Sequence, residues 1–125
     1  MRKTLYLALA LTVILLLVVA CGGGSDKEAS GGADVAAGEK LYKQAVLGSN
    51  AGCSTCHSLD GSVIVGPSFK GLGASMNAAE IREAICNPEA AITEGFPAGV
   101  MPANYCDDLS EGDINSLVAF IASLK

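Results

Sequence analysis

The chain predicts an all-α fold. Three segments, 34–47, 77–87 and 111–124, repeat apolar residues at helical spacing. The stretches between them carry glycine and proline every few residues, which breaks regular structure. No segment alternates apolar and polar residues over the length of a strand. Residues 34–125 make one small domain, and a domain of that size buries only a modest share of its surface.

A leader precedes it. Met1-Arg2-Lys3-Thr4 is a basic start, and Leu5 to Ala20 is an apolar run interrupted only by Thr12. That layout is a secretory signal over residues 1–20. Val18-Val19-Ala20-Cys21 closes the run and resembles the lipobox of bacterial lipoproteins, with Val18 where leucine is usual. The resemblance implies that Cys21 is diacylated and becomes the new N-terminus. The alternative is an uncleaved anchor, for which the run is near the lower length limit. Either arrangement tethers the domain outside a membrane, and stable anchoring by acylation takes more than one lipid chain. Residues 21–33 are rich in glycine and serine, with Asp26, Lys27 and Glu28 interspersed. They read as a flexible linker whose root-mean-square reach is roughly 20 Å.

The first helix is expected from Asp34, a plausible N-cap, to Leu47, with Ala37, Leu41 and Ala45 on one face and Val46 beside them. Gly38 lies inside it, and such a glycine often marks a close crossing. Gly48-Ser49-Asn50-Ala51-Gly52 ends the helix. Residues 58–74 are expected as loop, since Gly61, Gly66, Pro67, Gly71 and Gly73 interrupt them. Their apolar members Val63, Ile64, Val65, Phe69 and Leu72 either line a pocket or pin the loop to the core. Asn77 opens the second helix at capping-box spacing from Glu80, with Ala78, Ile81, Ala84 and Ile85 inward, and Pro88 stops it. Loop follows from Glu89 to Leu109, punctuated by Gly95, Pro97, Gly99 and Pro102. Ser110 caps the last helix, in which Ile114, Leu117, Val118, Ile121 and Leu124 form an apolar stripe with Phe120 beside it.

Cys53-Ser54-Thr55-Cys56-His57 carries the chemistry. Two cysteines three positions apart, followed at once by histidine, form the attachment pattern of a c-type haem. Each thiol adds to a haem vinyl group as a thioether, and the backbone then turns His57 under the iron. A thioredoxin-like redox pair needs no histidine there. A zinc site needs two further ligands, and His57 is the only histidine in the chain. A covalently held haem also supplies a large apolar body, which suits a chain with no tryptophan and 5% aromatic residues.

The iron's other axial position goes to methionine, since a second histidine does not exist and a thioether is a soft, neutral ligand. Met1 leaves with the signal. Met76 follows His57 too closely and opens a helix, which suits a gap-filling core residue. Met101, in Gly99-Val100-Met101-Pro102, sits in a stiff loop far enough downstream to return over the haem. Lys70 is a remote third option.

Together, Cys53 to His57, Gly66-Pro67, Gly99 to Pro102 and the amphipathic C-terminal helix resemble a class I cytochrome c over residues 34–125. The resemblance implies a small cytochrome c fold of three main helices and loops wrapped around one covalent haem. It implies that the terminal helices cross near Gly38, with Tyr42 against Leu117, Phe120 or Ile121. The Pro67 carbonyl then accepts a hydrogen bond from His57 Nδ1, and Tyr105 or Tyr42 hydrogen-bonds a haem propionate, although packing explains either tyrosine as well. The spacing is also similar to cytochrome c domains of bacterial respiratory complexes.

Cysteine counting leaves Cys86 and Cys106 after lipid and haem have taken the other three of five. In a compartment where disulfides persist, they are expected to pair around the Met101 loop, unless they remain buried thiols. The pair departs from the general family pattern.

Loss of Arg2 and Lys3 with the leader moves the formal charge from −5 to −7. No basic patch is left for nucleic acid, and an acidic domain prefers a partner with a basic docking face. The expected role is a membrane-tethered one-electron carrier of a bacterial respiratory or photosynthetic chain, working with redox partner proteins and no small-molecule substrate. The alternatives are a subunit fixed in an oxidase or reductase, and a haem enzyme or gas sensor with a labile Met101. The missing second histidine removes one distal acid or base that peroxidase chemistry would use.

Overall fold

The computed structural model describes residues 32–125; the signal segment, Cys21 and most of the linker lie outside the described residues. Helix α1 spans Val35–Tyr42. Asp34 caps it, its carboxylate accepting the N–H groups of Ala36 at 2.8 Å and Ala37 at 3.2 Å. Such a cap satisfies donors that the first turn leaves unpaired.

The helix ends five residues earlier than the sequence predicts. Its expected apolar extension rests on Ala45 and Val46, and both are exposed. Leu47 instead reaches the core, 2% exposed, from a short hairpin in which β1 (Val46–Leu47) pairs antiparallel with β2 (Asn50–Ala51). The two-residue Gly48–Ser49 connection is a hairpin length. Asp108 pins it from far along the chain, accepting from Ser49 N at 3.0 Å and Asn50 Nδ2 at 3.2 Å. Burial of one leucine and a remote carboxylate thus override a weak helical repeat built on alanine.

Three more helices precede the last. Helix α2 (Leu72–Ser75) is a single turn inside the segment expected as loop. Helix α3 (Ala78–Cys86) starts at the expected capping box, with Glu80 N donating to Asn77 Oδ1 at 3.1 Å and Asn77 N to Glu80 Oε2 at 2.8 Å. It buries Ile81 and Ile85 while Ala78 stays exposed. Helix α4 (Tyr105–Asp108) is another single turn in a predicted loop. Helix α5 (Glu111–Ser123) follows, with Ser110 Oγ accepting from Asp113 N at 3.2 Å.

The core is the face of α5, where Ile114, Leu117, Val118, Phe120 and Ile121 are buried. Helix α1 crosses it at Gly38. A methyl group on Gly38 would lie 1.9 Å from the Ser116 carbonyl oxygen and 2.7 Å from Phe120 Cβ, so only glycine lets the backbones meet. Tyr42 packs on Phe120 one turn further, with ring centroids 5.4 Å apart. Ser116, buried within the crossing, donates to Gly112 O at 2.8 Å and accepts from Asp34 N at 3.3 Å.

Candidate functional site

Between α3, α5 and the two long loops lies a cleft of about 770 Å³. That volume falls within the roughly 300–1,000 Å³ typical of cofactor sites. Cys56, His57, Pro67, Phe69, Met76 and Met101 all line it, and most of the remaining wall is apolar.

The attachment motif lies at its edge. A 3-10 turn, Cys53–Thr55, begins it, and His57 N donates to Cys53 O at 2.9 Å. The turn brings Cys53 against the core and Cys56 to the cleft wall, both as free thiols. Burial chiefly pushes the Cys53 thiol above its ordinary pKa. A thiol held protonated is a poor redox nucleophile, which argues against the thioredoxin-like reading. Among the described residues no cluster of three or more His, Cys, Asp or Glu side chains is arranged for a metal ion.

His57 is 9% exposed. Its Nδ1 lies 2.8 Å from the Pro67 carbonyl oxygen. In the tautomer with Nδ1–H donating, Nε2 keeps its lone pair for a ligand bond. Burial lowers the imidazole pKa, with the Pro67 contact working in the opposite direction, so the ring is neutral at neutral pH. Backbone amides hold the Pro67 segment: Val65 N and Gly66 N donate to Cys56 O at 3.2 and 2.8 Å, and Phe69 N to Ser58 O at 2.8 Å. A side chain on Gly66 would come within 2.5 Å of His57 Cε1.

Met101 reaches the same cleft from the loop between α3 and α4, half-buried and packed against the core. Met76, at the end of α2, does so too, which sequence spacing alone did not foresee. Cys86 and Cys106 are joined by a disulfide, with Cα atoms 5.2 Å apart and a sequence separation of 20. The bridge closes the segment that contains Met101.

The resemblance offers Tyr105 or Tyr42 to a haem propionate, with packing as the alternative role of either. Here Tyr105 OH donates to Ala51 O at 2.6 Å and Tyr42 OH donates to His57 O at 2.6 Å, so both hydroxyls pin backbone carbonyls at the attachment motif. The Val63 and Ile64 side chains do not line the cleft; they are 67% and 53% exposed, Val63 meets His57 through a backbone bridge, and only Val65 of that run faces the cleft.

A family model for cytochrome c matches residues 35–125. The chain belongs to the cytochrome c family. Its architecture, mainly helical with very little strand, is the small all-α cytochrome c fold, and its cofactor is one covalently attached haem c. The chain is also 34% identical over 88 residues to cytochrome c-550 of Bacillus subtilis (strain 168). That alignment covers 70% of this chain and 64% of the relative, so the chain spans somewhat less than two thirds of the relative's length. The cleft suits the cofactor: apolar walls, a buried imidazole, and two free thiols at the correct spacing.

Proposed function

We propose that this chain is a one-electron carrier tethered to the outer face of a bacterial membrane, serving a respiratory or photosynthetic chain. The observation that carries the reading is the shared cleft of His57 and Met101 beside the Cys53–Cys56 pair. Cys53 and Cys56 would hold the haem as thioethers, each by adding S–H across a vinyl double bond, sulfur to one carbon and hydrogen to the other. His57, oriented by Pro67, would offer Nε2 to the iron, and Met101 would offer a neutral thioether sulfur, a pairing that raises the potential relative to stronger donors. Haem iron, when bound, supplies the reversible electron exchange. Ligands held by Pro67 on one segment and by the Cys86–Cys106 bridge around the other would stay in place in either oxidation state, so little would rearrange as the electron moves.

Cys21 supplies the tether through lipidation, and residues 21–33 let the domain sweep the nearby surface. Tethering raises the local concentration of membrane partners, so a small, weak docking interface is enough. The negative charge favours partners with a basic face.

The test is the visible spectrum of holoprotein extracted from membranes. The native chain is expected to be low-spin, with the weak long-wavelength band of an iron–thioether bond in its oxidised form. Met101→Leu loses that band and opens the iron to cyanide, whereas Met76→Leu keeps it. The reverse pattern transfers the ligand to Met76. A high-spin native spectrum overturns the carrier reading in favour of an enzyme or sensor.

A further inference from the structure

Besides the Pro67 carbonyl, one aromatic side chain meets the His57 imidazole, face to face. The Phe69 ring stacks on His57, with centroids 4.4 Å apart and planes 19° from parallel. Phe69 is 9% exposed, and its backbone N–H is fixed on Ser58 O, next to the histidine. Its other neighbour is Tyr42, at 6.1 Å between ring centroids, which in turn rests on Phe120 of α5. A row of rings thus runs from the α1–α5 crossing to the imidazole.

We propose that Phe69 is a positioning residue that sets the plane of the His57 ring, and with it the electronic asymmetry of the oxidised haem. The inference rests on His57 being the iron ligand. The torsion that turns an imidazole about its Cβ–Cγ bond is broad, so the rotamer alone does not choose a plane. The Pro67 hydrogen bond fixes where Nδ1 points, yet hydrogen bonds at carbonyl oxygens accept a wide range of angles. A nearly parallel ring is more restrictive, because tilting the imidazole opens a gap on one side and a clash on the other. The plane of an axial imidazole selects which π-type d orbital of the iron it overlaps. That choice decides where unpaired spin spreads over the porphyrin. A leucine here would fill similar space and exclude water equally well, but it would offer no flat face.

The experiment compares oxidised holoproteins by proton NMR of the haem methyl groups and by the g-values of their electron paramagnetic resonance. Phe69→Leu is expected to keep the low-spin spectrum while changing the spread and order of the methyl resonances and shifting the g-values. Phe69→Tyr retains a ring and stays close to the native pattern. Ile114→Val, a core change outside the cleft lining, lowers thermal stability and leaves the pattern alone. Should Phe69→Leu accumulate too little haem, Phe69→Met is measured in its place. A native methyl pattern in the Leu or Met protein overturns the proposal, as does an equal change in Ile114→Val. Failure of the underlying ligand reading appears elsewhere, in a native protein that lacks the low-spin spectrum.

Discussion

The segment that carries His57 and the segment that carries Met101 are held in different ways. Around His57 the fastening is dense and local. Cys56 O accepts two amides, Ser58 O accepts one amide and the Ser68 hydroxyl, His57 O accepts Tyr42 OH, and Phe69 covers the ring. Around Met101 the loop is sparsely bonded: Ala90 N to Asn87 O, Phe96 N to Thr93 O, and Gly99 N to the Glu89 carboxylate. There the Cys86–Cys106 bridge supplies what hydrogen bonding does not. One side of the cleft is rigid because its backbone is satisfied locally; the other is confined because its ends are covalently joined.

Substitutions on each side sharpen this contrast. The largest effect is expected at Gly66, where any side chain must displace the imidazole. Gly66→Val should nearly abolish coloured holoprotein, read as haem absorbance per unit of protein; normal colour would show that the His57 segment yields more than its hydrogen bonds suggest.

Next comes the bridge. Replacing Cys86 and Cys106 together by serine should lower unfolding stability by about 3 kcal/mol for a loop of this length, on a chain-entropy model whose mechanism is disputed. The iron–thioether band should also disappear at lower denaturant than the global transition. Coincident loss of band and fold would mean that the loop needs no covalent help.

The smallest effect concerns Asp108, which ties α4 to the hairpin ahead of the attachment motif. Hydrogen bonds from the Ser49 hydroxyl and amide hold its carboxyl below the usual pKa. A depressed carboxylate stabilises above its ordinary unfolded pKa and loses that contribution as pH falls through the lower folded value. Asp108→Ala should therefore be less stable than the native chain at neutral pH, with the gap closing in acid. A gap independent of pH in denaturant titrations would assign the loss to packing rather than charge.

What was legible from sequence follows the same division. Cys53, Cys56 and His57 are contiguous, so their chemistry reads directly. Met101 and the Cys86–Cys106 pair were reached by counting what remained. The capping box at Asn77 and the glycine crossing at Gly38 are local signals and lie where expected. Contacts that depend on distant partners were not legible. The early end of α1 depends on Asp108, 59 residues beyond Ser49. Tyr105 finds Ala51 O across 54 residues, which no spacing rule indicates. Phe69 was identified as apolar but not as the face of the histidine, because that placement needs the turn folded back onto Cys56 O and Ser58 O.

Four cysteines of the described domain have opposite fates: Cys53 and Cys56 stay reduced until carbon takes them, while Cys86 and Cys106 are oxidised to each other. Four thiols permit three complete pairings, and the native bridge belongs to the pairing whose other half joins Cys53 to Cys56, which would bar the cofactor until a reductant opened it. Maturation therefore asks for opposite redox treatment of two pairs in one small domain: the first kept as thiols until porphyrin arrives, the second oxidised.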